Sequence, residues 1–187
     1  MKEKKVRPPL KKRLHEKRRI IITIIIFFIV ILIISTTVGR EIIADRQPGL
    51  LSFSIINFTG YLFFILMPVE ALLPFYLREG NSGLDLVLLA TATAIVAQLI
   101  DYSIGYLFST DIINSLVGKK RYQKAEKKIT QYGYKIIFLF NLFPLSSPII
   151  VLVSGIMRLN LKRVLLYSLT GLTIKNTLII LLFLHLF

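Results

Sequence analysis

The sequence predicts an all-α polytopic membrane protein, in which three helices span the bilayer and two re-entrant helical hairpins enter it from opposite faces. Three observations support this prediction. Hydrophobic residues fill 55% of the 187 positions, which is typical of a chain that enters the bilayer several times. Prolines interrupt two of the five long apolar stretches. Lys and Arg concentrate in short segments beside apolar stretches, as the positive-inside rule requires.

The N-terminal part combines a basic tail with a first spanning helix. Residues 1–19 hold ten Lys or Arg and two acids, and we expect a solvated tail there. Residues 20–38 carry no charge and predict a spanning helix. No small-residue cleavage motif follows, so this helix is interpreted as a signal anchor that leaves the tail in the cytoplasm. Residues 39–187 form the predicted membrane domain.

The second apolar stretch, residues 50–77, is interrupted by Pro68 and Pro74 around the acidic Glu70. A proline inside a helix removes a backbone hydrogen bond and clashes with the preceding turn. In hydrocarbon, the freed backbone groups must find partners inside the protein. The pattern therefore predicts two half-helices that meet at a buried apex.

Residues 134–157 repeat this pattern, with two prolines and a polar cluster near the middle. We predict a second broken hairpin there, and a single kinked spanning helix is the alternative. The residues assigned to its apex or its polar cluster are Asn141, Pro144, Ser146, Ser147, Pro148 and Gly155.

Two further stretches predict spanning helices. Residues 84–108 are rich in Ala and Thr, as expected of a helix packed closely on its neighbours, and contain Gln98 and Asp101 deep in the span. Residues 164–187 are apolar except for Lys175 and the adjacent asparagine.

The segment between the second span and the second hairpin, residues 109–133, is polar and basic. Its apolar residues recur at helical spacing and predict one stripe, which suits a helix lying on the membrane surface. A nucleotide- or partner-binding loop is the alternative. The stripe consists of Tyr122, Ala125, Ile129 and Tyr132.

The charge distribution favours the hairpins over five simple spans. If every apolar stretch crossed the bilayer, the basic segment 109–133 would lie outside. With two re-entrant hairpins, 20 of the 24 Lys and Arg residues lie inside, three lie outside, and Lys175 lies in the membrane. Two hairpins from opposite faces, each followed by a spanning helix, make an inverted repeat.

Several short motifs occur in a characteristic order. Pro68-Val69-Glu70 matches a Pro-x-Glu motif, and the segment from Ala97 to Gly105 matches a small-residue and Tyr-x-Ile-Gly pattern. Tyr132-Gly133, Ser154-Gly155-Ile156-Met157 and Gly171 follow. Over roughly residues 50–180 the chain thus resembles the DedA family, also called the VTT or SNARE-associated membrane domain.

The resemblance implies movement of lipids between leaflets, including polyprenyl-phosphate carriers, with a proton-linked acid in some members. The chain departs from the family pattern at three arginines. Asn141 and Ser147 stand in place of the pair that flanks the second-hairpin proline, and Tyr106 replaces the arginine after Tyr-x-Ile-Gly. These departures place the chain nearer to a divergent branch without the paired arginines.

Three ionisable residues lie in the predicted membrane region, namely Glu70, Asp101 and Lys175. Such residues are candidates for function because burying a charge in lipid is costly. We expect an ion pair between Asp101 and Lys175, which serves either as a structural clamp or to present Lys175 to a lipid phosphate. Glu70 either carries a proton or caps a half-helix. Asn141, Ser146 and Ser147 donate hydrogen bonds either to a head group or to the backbone at the apex.

The predicted function is a lipid scramblase or flippase of the plasma membrane, with membrane lipids as partners, proton coupling as an option, and homo-oligomerisation left open. A membrane-organising scaffold and a small-solute or ion transporter are the alternatives. An enzyme is disfavoured because the chain has no cysteine and its two histidines lie near its ends. No cofactor and no metal are predicted. Nucleic acid is disfavoured because the net charge of +14 is explained by topology and anionic lipids.

Overall fold

The computed structural model describes residues 49–62, 69–107, 118–143 and 147–186. All of them belong to the second of the two units into which the chain divides, residues 46–187. The predicted tail and first spanning helix, residues 1–38, lie outside the described residues. So do Pro68, Pro144 and Ser146.

Every regular element in the described part of the chain is helical, which confirms the all-α prediction. Seven α-helices and one 3-10 turn occur there. They are α1 (Leu50–Leu62), the 3-10 turn (Val69–Ala71), α2 (Leu72–Arg78), α3 (Gly83–Leu107), α4 (Lys119–Tyr132), α5 (Lys135–Leu142), α6 (Ser147–Ile156) and α7 (Leu161–Leu186).

Helices α3 and α7, of 25 and 26 residues, are the two described helices that are long and apolar enough to cross a membrane. Each is roughly 38 Å long at 1.5 Å per residue, against a hydrocarbon core of about 30 Å. Helices α1, α5 and α6 are shorter, and α1 with 13 residues reaches only about 20 Å. Each of the two proline-containing stretches is therefore divided into short helices.

The surface of α7 agrees with an apolar environment. Large apolar side chains remain exposed along most of its length, which is unusual for a helix in water. They are Leu166, Leu169, Ile174, Leu178, Leu181, Leu182, Leu184 and Leu186.

The first broken stretch folds back on itself. Ser52 near the start of α1 shares a 2.9 Å hydrogen bond with the Tyr76 hydroxyl near the end of α2. At the other end, a Cβ on Gly60 would lie 2.1 Å from a methyl carbon of Val69. The two arms are therefore antiparallel.

The second broken stretch has the same form. The backbone N–H of Asn160, just after α6, donates to the hydroxyl of Tyr134, just before α5, over 3.1 Å. The Tyr134 ring also stacks on Tyr167 of α7, with ring centroids 5.8 Å apart. The residues that precede α5 and follow α6 thus lie beside each other and near α7.

The described prolines begin the second arms of these hairpins. Pro74 is the third residue of α2, and Pro148 is the second residue of α6. A proline is tolerated in the first turn because the N–H groups there have no acceptor within the helix.

Gly155 does not lie at the predicted apex. It is the last residue but one of α6, where that helix crosses α3. A Cβ there would lie 2.2 Å from the carbonyl oxygen of Tyr102, and a Cβ on Gly105 would lie 2.0 Å from that of Leu152. The two glycines let the backbones of α3 and α6 touch, as small residues do in membrane helix pairs. Helix α6 is accordingly central, and nine of its ten residues are buried.

The basic helix α4 has the predicted apolar stripe, but the stripe faces protein. Tyr122, Ala125 and Ile129 are buried and pack with residues of α5 and α6 in one core cluster. Tyr132, the fourth residue of the predicted stripe, is 51% exposed. The exposed side carries Lys119, Lys120, Arg121, Lys124 and Lys127.

Candidate functional site

The candidate site is a buried ion pair at the tip of the first hairpin. Lys175 of α7 is 6% exposed, and its Nζ lies 2.8 Å from Glu70 Oε1. The same ammonium donates to the Tyr61 hydroxyl at 2.8 Å. Glu70 is 24% exposed. The pair is therefore closed on the lysine side and partly open on the carboxylate side.

The break in the first stretch places these groups. Tyr61 is the last residue but one of α1, and Glu70 lies in the 3-10 turn that begins the return. Val69 beside it is buried against Gly60, which holds this turn at the end of α1. The long side chain of Lys175 reaches this tip from α7. Its Nζ also lies 5.4 Å from the centroid of the Tyr61 ring.

The electrostatics of the pair require close contact. Removing an ammonium group from water costs several kcal/mol, and an unpaired one would oppose folding. Among the described residues, two acceptors serve the three N–H bonds of the ammonium. The site can thus offer a further N–H to an oxygen of a bound group.

The predicted ion pair between Asp101 and Lys175 is wrong. Lys175 pairs with Glu70, and neither carboxylate oxygen of Asp101 has a hydrogen-bond partner in the described part of the chain. Asn176, the neighbour of Lys175, donates to Thr91 Oγ1 at 3.1 Å. Asp101 lies ten residues further along α3, or about 15 Å. A lysine side chain does not reach across that distance.

Asn141 forms a second polar cluster with α3 and α7. It is fully buried and accepts a hydrogen bond from Gln98 Nε2. Its own Nδ2 donates to Ser168 Oγ at 3.2 Å and to the Ile137 carbonyl at 2.9 Å. Both of its amide hydrogens are used inside the helix bundle, by Ser168 of α7 and by the backbone of α5, and neither of these acceptors lies at the predicted apex.

The predicted site residues thus separate into groups. Glu70 and Lys175 come together, while Asp101 lies one helical turn from Gln98, the partner of Asn141. Ser147 is buried as the first residue of α6. No group of three or more acidic or histidine side chains that could hold a metal ion occurs in the ranges described.

Tyr61 is the member of the site that the sequence analysis missed. The available signal was a tyrosine close to the end of an apolar arm, just before a proline break. A tyrosine side chain is amphipathic, because its hydroxyl can accept a hydrogen bond from a buried charge while its ring packs in the core.

Comparisons with known proteins agree with this architecture. The family model of the VTT domain matches residues 52–185, which is more than half of the chain. No match was found among curated proteins or among solved structures. The VTT domain defines a family of membrane proteins that is generally linked to transport or lipid flipping, and the predicted resemblance is confirmed. The chain belongs to the DedA family.

Proposed function

We propose that this protein moves lipids between the two leaflets of the plasma membrane, as a scramblase or flippase, and that Lys175 and Glu70 bind the head-group phosphate. One observation carries the proposal. A buried lysine is held by a partly exposed carboxylate at the tip of a broken hairpin. Broken helices of this kind form midplane binding sites in many transporters.

The chemistry of the pair suits an exchange of anions. A phosphate oxygen can replace the carboxylate oxygen of Glu70 at Lys175 while the ammonium remains paired. A proton on Glu70 weakens its hold on Lys175 and favours this exchange. The exposure of Glu70 gives the incoming group its path, and the Tyr61 hydroxyl keeps the ammonium in place meanwhile.

Lys175 also supplies the cationic contact that the divergent sequence otherwise lacks. Asn141 and Ser147 are buried and uncharged, and they stand where the family pattern has its paired arginines. In our proposal the phosphate contact therefore comes from α7.

The contacts between helices support an inverted repeat. Asn57 of α1 meets α3 through Ala90, and Tyr134 beside α5 meets α7 through Tyr167. In each half, the first arm of the broken stretch thus packs on the long helix that follows it, α1 on α3 and α5 on α7.

Helices α3 and α7 run in opposite directions, because Gly83 approaches Ile180 and Thr91 binds Asn176. With residues 20–38 as a third span, we propose a multi-pass topology with a cytoplasmic N-terminus. The clustering of Lys and Arg supports this orientation.

The test is lipid movement in proteoliposomes that contain the full chain, with labelled phospholipid and labelled polyprenyl phosphate as separate substrates. We expect the rate to fall at least about tenfold in Lys175→Met, which lacks the contact to the phosphate, and in Glu70→Gln, which stays neutral and cannot displace the phosphate from Lys175 to complete the exchange. Lys162→Met is the matched control, because Lys162 is exposed on the same helix. A pH gradient, present or absent, tests proton coupling.

Retained movement of both lipids in folded Lys175→Met would contradict the assignment of the site. No movement of either lipid by folded wild type would overturn the proposed function. It would favour the membrane-organising scaffold, or a small-solute or ion transporter.

A further inference from the structure

A second polar group in α3 is buried and incompletely satisfied. Gln98 and Asp101 are both 0% exposed. In the described part of the chain, Gln98 Oε1 and both carboxylate oxygens of Asp101 have no hydrogen-bond partner. Residues three apart on a helix lie on the same face. Three unpaired acceptor oxygens are therefore gathered within one turn.

No positive charge of the described chain compensates these oxygens. Helix α6, which packs most closely on this part of α3, has no titratable side chain. Helices α1 and α7 contribute Tyr61 and Lys175, which bind each other near the other hairpin.

The remaining titratable groups on the elements around α3 are exposed or have other contacts. Tyr102 donates to the Leu159 carbonyl, Tyr167 stacks on Tyr134, and Arg158 lies over the Tyr106 ring. Lys162 and Arg163 are exposed at the start of α7, and His185 is exposed near its end. Tyr76 and Arg78 belong to α2, which meets the opposite end of α3.

We propose that Asp101 and Gln98 form a binding site for a small monovalent cation, either H⁺ or Na⁺. An isolated carboxylate in a water-free interior is strongly unfavourable, and a proton or a bound cation removes the net charge. Carboxylate and amide oxygens are the ligands that hard cations prefer. For Na⁺ the two side chains supply three oxygen ligands, whereas for H⁺ the protonated carboxyl of Asp101 becomes a donor for which Gln98 Oε1 is a free acceptor.

The Gln98 amide is oriented for this role by the rest of the cluster. Its Nε2 donates to Asn141, whose Nδ2 in turn donates to Ser168. The amide nitrogen is thereby turned to α5 and α7, and the carbonyl oxygen is left as an acceptor. These hydrogen bonds link cation binding on α3 to α7, which also carries Lys175. The coupling to lipid movement, but not the cation site itself, rests on the proposed function.

The site is tested first by the thermal stability of the purified full chain in detergent. Tm is measured in NaCl and in choline chloride at equal ionic strength, and separately across pH. If Na⁺ is the ligand, Tm rises by several °C with about 200 mM NaCl, because a ligand of the native state stabilises it. If H⁺ is the ligand, Tm falls by a similar amount as pH rises, because the native state retains a proton that the unfolded chain releases.

Two variants locate the effect. In Asp101→Asn we expect Tm to lose its dependence on Na⁺ or on pH. Asp85→Asn retains that dependence, since Asp85 is an exposed acid in the first turn of the same helix. A wild-type Tm that responds to neither cation overturns the proposal. A response retained in folded Asp101→Asn also overturns it.

If Asp101→Asn does not fold, the site is tested in wild type instead, by labelling carboxyl groups with a carbodiimide and locating the label by mass spectrometry. Label on Asp101 that falls at least about tenfold with added Na⁺ or with rising pH supports the site. Absence of label on Asp101 overturns it. A cation-dependent Tm together with no lipid movement overturns the proposed function and leaves the cation site standing.

Discussion

Two buried polar clusters of the molecule, one around Lys175 and one around Asp101, differ in how their charged groups find partners. At the first hairpin, Lys175 finds a carboxylate and a hydroxyl within 2.8 Å. In α3, Asp101 finds no partner in the described chain. A paired charge can remain buried without help, whereas an unpaired one needs something that the chain does not supply. In our proposals, an anion can open the ion pair of the first cluster, and the second cluster binds an exchangeable cation.

The largest expected loss of stability comes from forcing α3, which carries the second cluster, away from α6. In Gly105→Ala the new Cβ would lie 2.0 Å from the carbonyl oxygen of Leu152, which is far inside the van der Waals distance. The backbones of α3 and α6 must move apart, and we expect a loss of stability above about 4 kcal/mol. Tm in detergent measures it. Ser103→Ala, an exposed site two residues away, is the control, and equal stability of both variants would contradict the close crossing.

Breaking the ion pair is expected to have the next largest effect. Glu70→Ala leaves the ammonium of Lys175 buried without its carboxylate, at a cost of about 3–5 kcal/mol. The double variant Glu70→Ala/Lys175→Met removes the stranded charge and should recover much of that loss. A double-mutant cycle on Tm or denaturant unfolding measures the coupling. Strictly additive effects would show that the pair contributes little.

Removing the amide that links the second cluster should cost less. Asn141→Ala leaves Gln98 Nε2 and Ser168 Oγ without their present partner, and we expect about 2–3 kcal/mol of destabilisation. The variant should also weaken the cation response of Tm, because Gln98 is no longer oriented. Gln131→Ala, which removes an exposed amide on α4, is the control, and an unchanged cation response in Asn141→Ala would remove Asn141 from the cation site.

The smallest effect is expected at Tyr61. Tyr61→Phe keeps the ring and deletes one hydrogen bond to an ammonium that retains Glu70, so we expect about 1–2 kcal/mol. Lipid movement should fall less than in Lys175→Met. A larger loss than in Glu70→Ala would reverse our ranking of the two acceptors and make the hydroxyl the main partner of the lysine.

Much of the architecture followed from local rules. Apolar stretches of sufficient length marked α3 and α7, and prolines marked the breaks in the two other stretches. The 3.6-residue spacing marked the stripe of α4. These features depend on backbone hydrogen bonding and side-chain periodicity, which act over a few residues.

The sequence by itself determined the helical class, the family, the broken stretches and three ionisable residues within apolar stretches. Only the tertiary structure decided which of those residues meet. Glu70 and Asp101 are both acids at membrane depth, and the pairing of Lys175 with one of them depends on the order of helix contacts. Thr91 binds Asn176 and thereby places Asp101 about 15 Å away along α3. The role of Gly155 was also out of reach of the sequence, because it depends on the close approach of α3, a helix distant in sequence.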